Sequence, residues 1–269
     1  DRGKTYRYRI MQQAVLSDEG NKRVVLGEGY GSDILKHAPY PVTTPSADRN
    51  ELEFWMVNDI HGRDSVFQLL IGDAPRQKPD FVCLNGDLLN SIESEKALFE
   101  GFLASASELL TPAGIPLVVM RGNHDGRGKF ARHWLDYFPT PTGESYYTFR
   151  RGPVFFVVLD GCEDKPDSDI RYYGLSTADA YREQQAQWLR GVVAGEEFRS
   201  APYRIVLIHM PPNKGRGWHG ELEIERLFLP ILDGSGIDLM LCGHYHRYQW
   251  IDDRLSLIHI SEPTRRSYI

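Results

Sequence analysis

The stretch DFVCLNGDLLN, residues 80–90, joins a short apolar run to an abrupt polar turn that carries a carboxylate. The same design recurs along the chain. LEFWMV (52–57), IPLVVM (115–120), VFFVVL (154–159), YRIVLI (203–208) and IDLML (237–241) are equally short and apolar. Runs of that length are too short for independent helices and read as buried strands. Between them, SEKALFEGFLASASELL (94–110) has apolar residues at helical spacing and stops at Thr111 and Pro112. AYREQQAQWLRGVV (180–193) is predicted as a second amphipathic helix and GELEIERLFLPIL (220–232) as a third, with Pro230 kinking its end. Strands alternating with helices over residues 51–254 predict an α/β domain with crossover helices.

Residues 1–50 read differently. TYRYRIMQQAV (5–15) alternates like a strand, VVLGEGYG (24–31) follows the turn signal SDEGN, and APYPVTTPSADRN (38–50) is a Pro- and Ser/Thr-rich connector. The segment is read as a partial β module plus linker. At 269 residues, with 41% hydrophobic and 25% charged residues, the chain has material for a large core, which excludes a stapled mini-protein and a disordered chain. No apolar run reaches the roughly 18–20 residues of a membrane span. A net charge of −6 repels polyanions at long range, so no nucleic-acid polymer is expected as a partner. Three cysteines do not make a disulfide framework; Cys83 and Cys242 lie in apolar runs and are expected to be buried hydrophobes. The chain opens with Asp1 and shows no leader, which reads as a processed product or a fragment.

Five of the strand-like runs are followed at once by a polar cluster: NDIHGR (58–63), NGDLLN (85–90), RGNHDG (121–126), HMPP (209–212) and GHYHR (243–247). Groups at the carboxyl ends of strands in an α/β sheet converge on one crevice. Asp59, His61, Asp87, Asn123, His124, His209, His244 and His246 are therefore expected at one site. Each cluster alone fits a turn or a satisfied core histidine, but a core has no cheap way to hold so many ionisable groups without a cation. Imidazoles mixed with carboxylates suit Zn, Mn or Fe better than Ca or Mg, and a carboxylate such as Asp87 can bridge two divalent ions about 3.5–4 Å apart. A closed structural zinc site is disfavoured because no cysteines stand at C-x-x-C spacing.

In this arrangement the sequence resembles the calcineurin-like metallophosphoesterases, whose blocks D-x-H, G-D, G-N-H-[DE], a strand-end His and G-H-x-H occur here in order at 59, 86, 122, 209 and 243. The resemblance covers about residues 53–250. It implies a four-layer α/β/β/α sandwich with two stacked mixed sheets, preceded by the β module. It also implies two divalent metal ions, with Asp59, His61 and His246 on one, Asn123, His209 and His244 on the other, and Asp87 bridging. The reaction implied is hydrolysis of a small phosphoester, in which a hydroxide on the metal pair attacks phosphorus and His124 protonates the leaving group. A non-catalytic scaffold on the same fold is the alternative, and it predicts lost ligands.

The D-x-H block departs from the purple acid phosphatases, and Asn90 stands where they carry a tyrosinate ligand. Asn90 is expected to hydrogen-bond His124. His219, Arg63 and Arg121 are candidate substrate-binding residues; Lys214, Arg216 and Trp218 share the PPNKGRGWHG loop (211–220) with His219. His37 and His133 are read as structural or surface residues. Residues 1–50 resemble the last strands of a fibronectin-III-like module of exported phosphoesterases, which favours an extracytoplasmic location over a cytoplasmic one. Residues 255–269 resemble a translated sequencing adapter and are read as a non-native tail, in which His259 has no role.

Overall fold

Six apolar runs become strands, and those at Phe81–Asn85, Val154–Leu159 and Leu239–Cys242 are buried on both faces, which is why they lack the alternation of a half-exposed sheet. The computed structural model describes residues 2–21, 23–31, 37–46, 50–212, 217–251 and 258–260. Its strands are β1 (Thr5–Tyr8), β2 (Met11–Asp18), β3 (Val24–Gly31), β4 (Tyr40–Thr43), β5 (Phe54–Val57), β6 (Phe81–Asn85), β7 (Leu117–Met120), β8 (Tyr147–Arg151), β9 (Val154–Leu159), β10 (Tyr203–Ile208), β11 (Leu239–Cys242), β12 (Gln249–Ile251) and β13 (Ile258–Ile260). The helices are α1 (Asp64–Ile71), α2 (Ala74–Gln77), α3 (Glu95–Leu98), α4 (Ala104–Leu110), α5 (Trp134–Tyr137), α6 (Ala178–Ala194), α7 (Glu196–Arg199), α8 (His219–Leu227) and α9 (Leu229–Leu232).

Two sheets stack face to face. One has the order β5-β6-β7 with parallel neighbours, as crossovers through helices require. The other, β12-β13-β11-β10-β9-β8, is mixed, with β9, β10 and β11 parallel and β8 antiparallel to β9. Alternate residues divide the core between layers. Phe81, Cys83 and Met120 face Phe156, Val158, Ile205, Leu207 and Leu241 between the sheets. Val82 and Leu84 point outward to Phe67, Leu98, Phe102 and Leu110, while Val157, Val206 and Met240 meet Leu189, Phe198, Ile224 and Phe228. The result is the four-layer α/β/β/α sandwich that the resemblance implied.

Two details differ from the sequence reading. The helix expected over 94–110 is broken into α3 and α4 by a π-helical turn at Phe99–Leu103. Gly101 lies in that turn, where a Cβ would meet the Leu89 side chain at 2.7 Å, so the extra residue brings the helix close to the loop after β6. The third helix stops at Leu227, and Pro230 belongs to the separate short α9. Ahead of the sandwich, β1 pairs with β4 and β2 with β3, both antiparallel, forming two small sheets whose residues are largely exposed. Within the stretch read as a tail, β13 pairs with β11 and β12. Cys83 and Cys242 are buried, as expected of small hydrophobes. No helix among the described residues is long and apolar enough to cross a membrane.

Candidate metal centre

Parallel pairing puts the carboxyl ends of β5, β6, β7, β10 and β11 at one edge of the stacked sheets, and the five polar clusters leave the sheets there. The turns are unusual in their backbone. Asp59, His61, Asp87, His244 and His246 all have φ between 49° and 75°, the left-handed region that costs a non-glycine residue about 1–3 kcal/mol. Hydrogen bonds between clusters hold them there: Asp59 N–H donates to Gly86 O (3.0 Å), His61 N–H to Asp87 O (3.0 Å) and His124 N–H to Asp87 Oδ1 (2.9 Å). His244 N–H donates to Asp59 Oδ2 at 3.0 Å. The glycines of the G-D and G-N-H-D blocks permit this closeness. A Cβ on Gly86 would lie 2.7 Å from His209 Cγ, and one on Gly122 would overlap Asp87.

All seven expected ligands are brought together. His209 Nε2 is 3.2 Å from Asp87 Oδ2 and 3.7 Å from Asp59 Oδ1. His246 Nε2 is 3.3 Å from Asp59 Oδ1, and His61 Nε2 is 3.0 Å from His246 Nε2 and 3.9 Å from Asp87 Oδ2. His244 Nδ1 faces Asn123 Oδ1 at 3.1 Å. Two sets of donor atoms close enough to share a cation result, Asp59–His61–His246 and Asp87–His209–His244; a third set, His61–Asp87–His124, overlaps them.

The donor set fits a cation pair. Asp59, Asp87, Asn123 and His209 are almost wholly buried, and buried carboxylates need compensating positive charge. In the cation-free protein a proton supplies part of it. Burial disfavours a charged His209, but Asp87 and Asp59 outweigh burial and push the ring up to about 10. Against the effect of burial, His209 likewise holds Asp59 and Asp87 below the usual carboxylate range. His61 Nδ1 and Asn123 Nδ2 are buried without hydrogen-bond partners, and His209 Nε2 has only the carboxylate of Asp87 at 3.2 Å, which a cation between them would replace.

His124 lies edge-on to His61, with ring centroids 5.0 Å apart, and its Nδ1 donates to the main-chain carbonyl of Asn90 at 3.0 Å. The expected Asn90 contact is thus made by the backbone rather than the amide side chain. Arg127, which the sequence did not single out, places Nη1 within 3.2 and 3.3 Å of the two ring nitrogens and binds Glu163 and Asp164 with its other nitrogens. Asp125 follows His124 in the same RGNHDG cluster. It is fully buried, accepts from Leu88 N, Leu89 N and Gly122 N, and so ties the loops after β6 and β7 together. Burial, reinforced by the charge of Asp87, raises its carboxyl above the ordinary value.

The candidate substrate residues are engaged by the protein itself. Arg63 is exposed and donates from Nε to Ile60 O and from Nη2 to Asp59 O. Arg121 binds Asp160 at 2.9 and 2.5 Å and leans on the Tyr181 ring, so it does not face outward as a plain surface charge. His219 opens α8 and reaches Asp179 on α6 at 2.8 Å. Trp218 is exposed beneath the Lys165 ammonium, while Lys214 and Arg216 lie outside the described residues. His133 pairs with Asp136 and His37 packs near Tyr40, both away from the centre. Glu221 on α8 is fully buried beside His244, a neighbour that no spacing in the sequence announces.

Comparison with known proteins agrees with this geometry. The sequence profile of the calcineurin-like phosphoesterases matches residues 52–248. The serine/threonine-protein phosphatase CPPED1 of Pongo abelii is 25% identical over 178 residues, covering 63% of this chain and 54% of the relative. The chain therefore spans about half the length of the curated relatives it matches. A dimetal phosphatase from Danio rerio superposes with a TM-score of 0.56 at 15% identity, over 78% of this chain and 87% of that one. A purple acid phosphatase from yellow lupin seeds superposes with a TM-score of 0.53 at 14% identity, over 83% of this chain and 42% of that one. At such identities the superpositions speak for the fold.

Proposed function

Since the chain belongs to the calcineurin-like phosphoesterase family, we propose that it hydrolyses small phosphoesters with two divalent cations. Asp59, His61 and His246 would hold one, Asn123, His209 and His244 the other, and Asp87 would serve both. The observation that carries this reading is the convergence of five strand-end clusters on two adjoining donor sets whose buried carboxylates call for positive charge. When bound, such a pair supplies Lewis-acid charge to the phosphoryl oxygens and activates a water as nucleophile.

The chain's own residues do the rest. With Nδ1 committed to the Asn90 carbonyl, His124 has Nε2 to deliver a proton to the departing oxygen. Arg127 packs against the ring as a contact and not as a hydrogen bond to its N–H groups, and its own position is fixed by Glu163 and Asp164. Arg63 keeps Nη1 outside its two backbone bonds and is our candidate for contact with a phosphate oxygen. Arg121 and His219, bound to Asp160 and Asp179, act on the substrate only by fixing the loops around it.

Metal analysis of the purified protein with a panel of p-nitrophenyl and alkyl mono- and diesters tests the reading. Two ions per chain and metal-dependent hydrolysis are expected. His124→Ala is expected to keep both ions and lose about 10²–10⁴-fold in turnover on alkyl esters, with a smaller loss on p-nitrophenyl esters, whose leaving group needs little protonation. Equal rates of mutant and parent on an alkyl ester would dismiss His124 as the acid.

A further inference from the structure

A metal-binding imidazole needs its second nitrogen occupied, because the bond made there fixes the ring's tautomer and orientation. His209 meets that need through the backbone, with Nδ1 donating to Asn85 O at 2.7 Å and Nε2 left facing the carboxylates. His244 turns Nδ1 toward Asn123 Oδ1, and its Nε2 lies 3.2 Å from Oε1 of Glu221. Glu221 is fully buried on the first turn of α8. Its Oε2 accepts from Trp218 N–H at 2.7 Å, a helix-capping bond, whereas Oε1 is buried without a hydrogen-bond partner. Gly217 lies against the carboxylate so closely that a Cβ there would overlap it.

Capping α8 engages one oxygen and does not require the other to be buried against a histidine. Burying a carboxylate oxygen without a bond costs free energy that a capping role would not offset. We propose that Glu221 is a positioning residue for the metal centre: with the cations bound, its otherwise unpartnered Oε1, 3.2 Å from Nε2, would accept the Nε2–H of His244 and so present Nδ1, beside Asn123 and His209, as the ligand atom. The assignment rests on the two-cation reading above. It applies to one flank of the centre, since no described contact joins Glu221 to Asp59, His61 or His246.

The test is zinc binding to the full chain, measured by competition with a chromophoric chelator, for the parent, Glu221→Ala and Glu221→Gln. The parent is expected to take up two zinc ions. Glu221→Ala is expected to bind one of them about 10–100-fold more weakly and the other within about twofold of the parent. Glu221→Gln, whose single amide oxygen can accept from Nε2–H only by turning its NH2 group toward Trp218 N–H, is expected to recover part of that loss. In the zinc-loaded parent, nitrogen-15 NMR of the histidine rings should show a slowly exchanging proton on His244 Nε2, shifted in Glu221→Gln. That spectrum carries the test if Glu221→Ala does not fold. Unchanged affinity for both ions would overturn the assignment, as would equal weakening of both with a matching fall in the metal-free melting temperature. A His244 Nε2 without a proton in the zinc form would overturn it too. A parent that binds no zinc would sink the two-cation reading as well, and is seen before any variant is made.

Discussion

On the flank formed by Asp87, His209 and His244, the carboxylate and His209 are buried and His244 is partly so; the Asn85 carbonyl anchors His209 from behind, and Glu221 lies 3.2 Å behind His244. On the flank formed by Asp59, His61 and His246, the carboxylate is buried and His61 is as enclosed as His244, but His246 is open. The His246 side chain is 49% exposed, His61 Nδ1 has no hydrogen-bond partner, and the two rings face each other through Nε2 at 3.0 Å. The first flank is organised by the protein, whereas the second relies on the cation to fix its rings. Preorganisation lowers the ordering cost of binding, so the buried flank is expected to hold its ion more tightly.

Asp87 faces a histidine of each flank, His61 and His209, so changing it should disturb both. Asp87→Asn keeps the shape but removes the charge that faces His209 and His61. The expected outcome is loss of both ions and a fall in turnover of roughly 10²–10³-fold or more, read by metal analysis and ester hydrolysis. Retention of one ion at full affinity would mean that Asp87 belongs to a single flank.

The contrast sharpens when each flank loses a histidine. His209→Ala removes a fully buried ring and leaves Asp59 and Asp87 facing a gap, so the metal-free protein is expected to lose about 3–5 kcal/mol, the cost of breaking a buried ion pair. His246→Ala takes away a half-exposed ring and should stay within about 1 kcal/mol while still weakening one ion. Denaturant titrations with a chelator present compare the two directly; equal losses would contradict the difference between the flanks.

The pH dependence of the metal-free protein follows from the same buried charges. The His209 ring titrates near 10 when folded against an ordinary 6.5, so its contribution to stability is complete below about pH 6.5 and is lost as pH rises toward 10. Asp59 and Asp87 are depressed below 3.8, so theirs is present above that value and lost as pH falls through the folded values. Melting temperature with a chelator present should therefore fall between pH 6.5 and 9. With saturating zinc, which replaces the proton on His209, the fall should be smaller. A flat metal-free profile over that range would refute the charge assignment.

Much of this centre was legible in the chain because its physics is local. A strand buried on both faces must be apolar throughout, and a cluster at its end must be polar to leave the sheet, so DFVCLNGDLLN announces both strand and ligand. The left-handed turns of Asp59 and Asp87 carry no comparable signature; only the glycines beside them hint at the crowding. Glu221 looks like an ordinary residue on the first turn of a helix, and its neighbour His244 is supplied by a different strand end. Arg127 is likewise invisible, because Glu163 and Asp164 come from the loop after β9. The π-helical turn at Phe99–Leu103 follows from tertiary crowding that helical spacing cannot express.

Asn90 supplies the smallest expected effect and separates two ways of anchoring a ring. His124, like His209, is tied to a main-chain carbonyl, which any residue at position 90 provides, whereas His244 is set against a carboxylate that only Glu221 provides. The Asn90 side chain is exposed, so Asn90→Ala should leave stability within about 0.5 kcal/mol of the parent. It should also leave the ratio of alkyl to p-nitrophenyl ester hydrolysis unchanged, because the Nδ1–H bond of His124 survives the substitution. If Asn90→Ala instead lowered the alkyl rate as His124→Ala is expected to, the amide side chain and not the backbone would be holding the acid, and His124 would join His244 among the rings anchored by a particular residue.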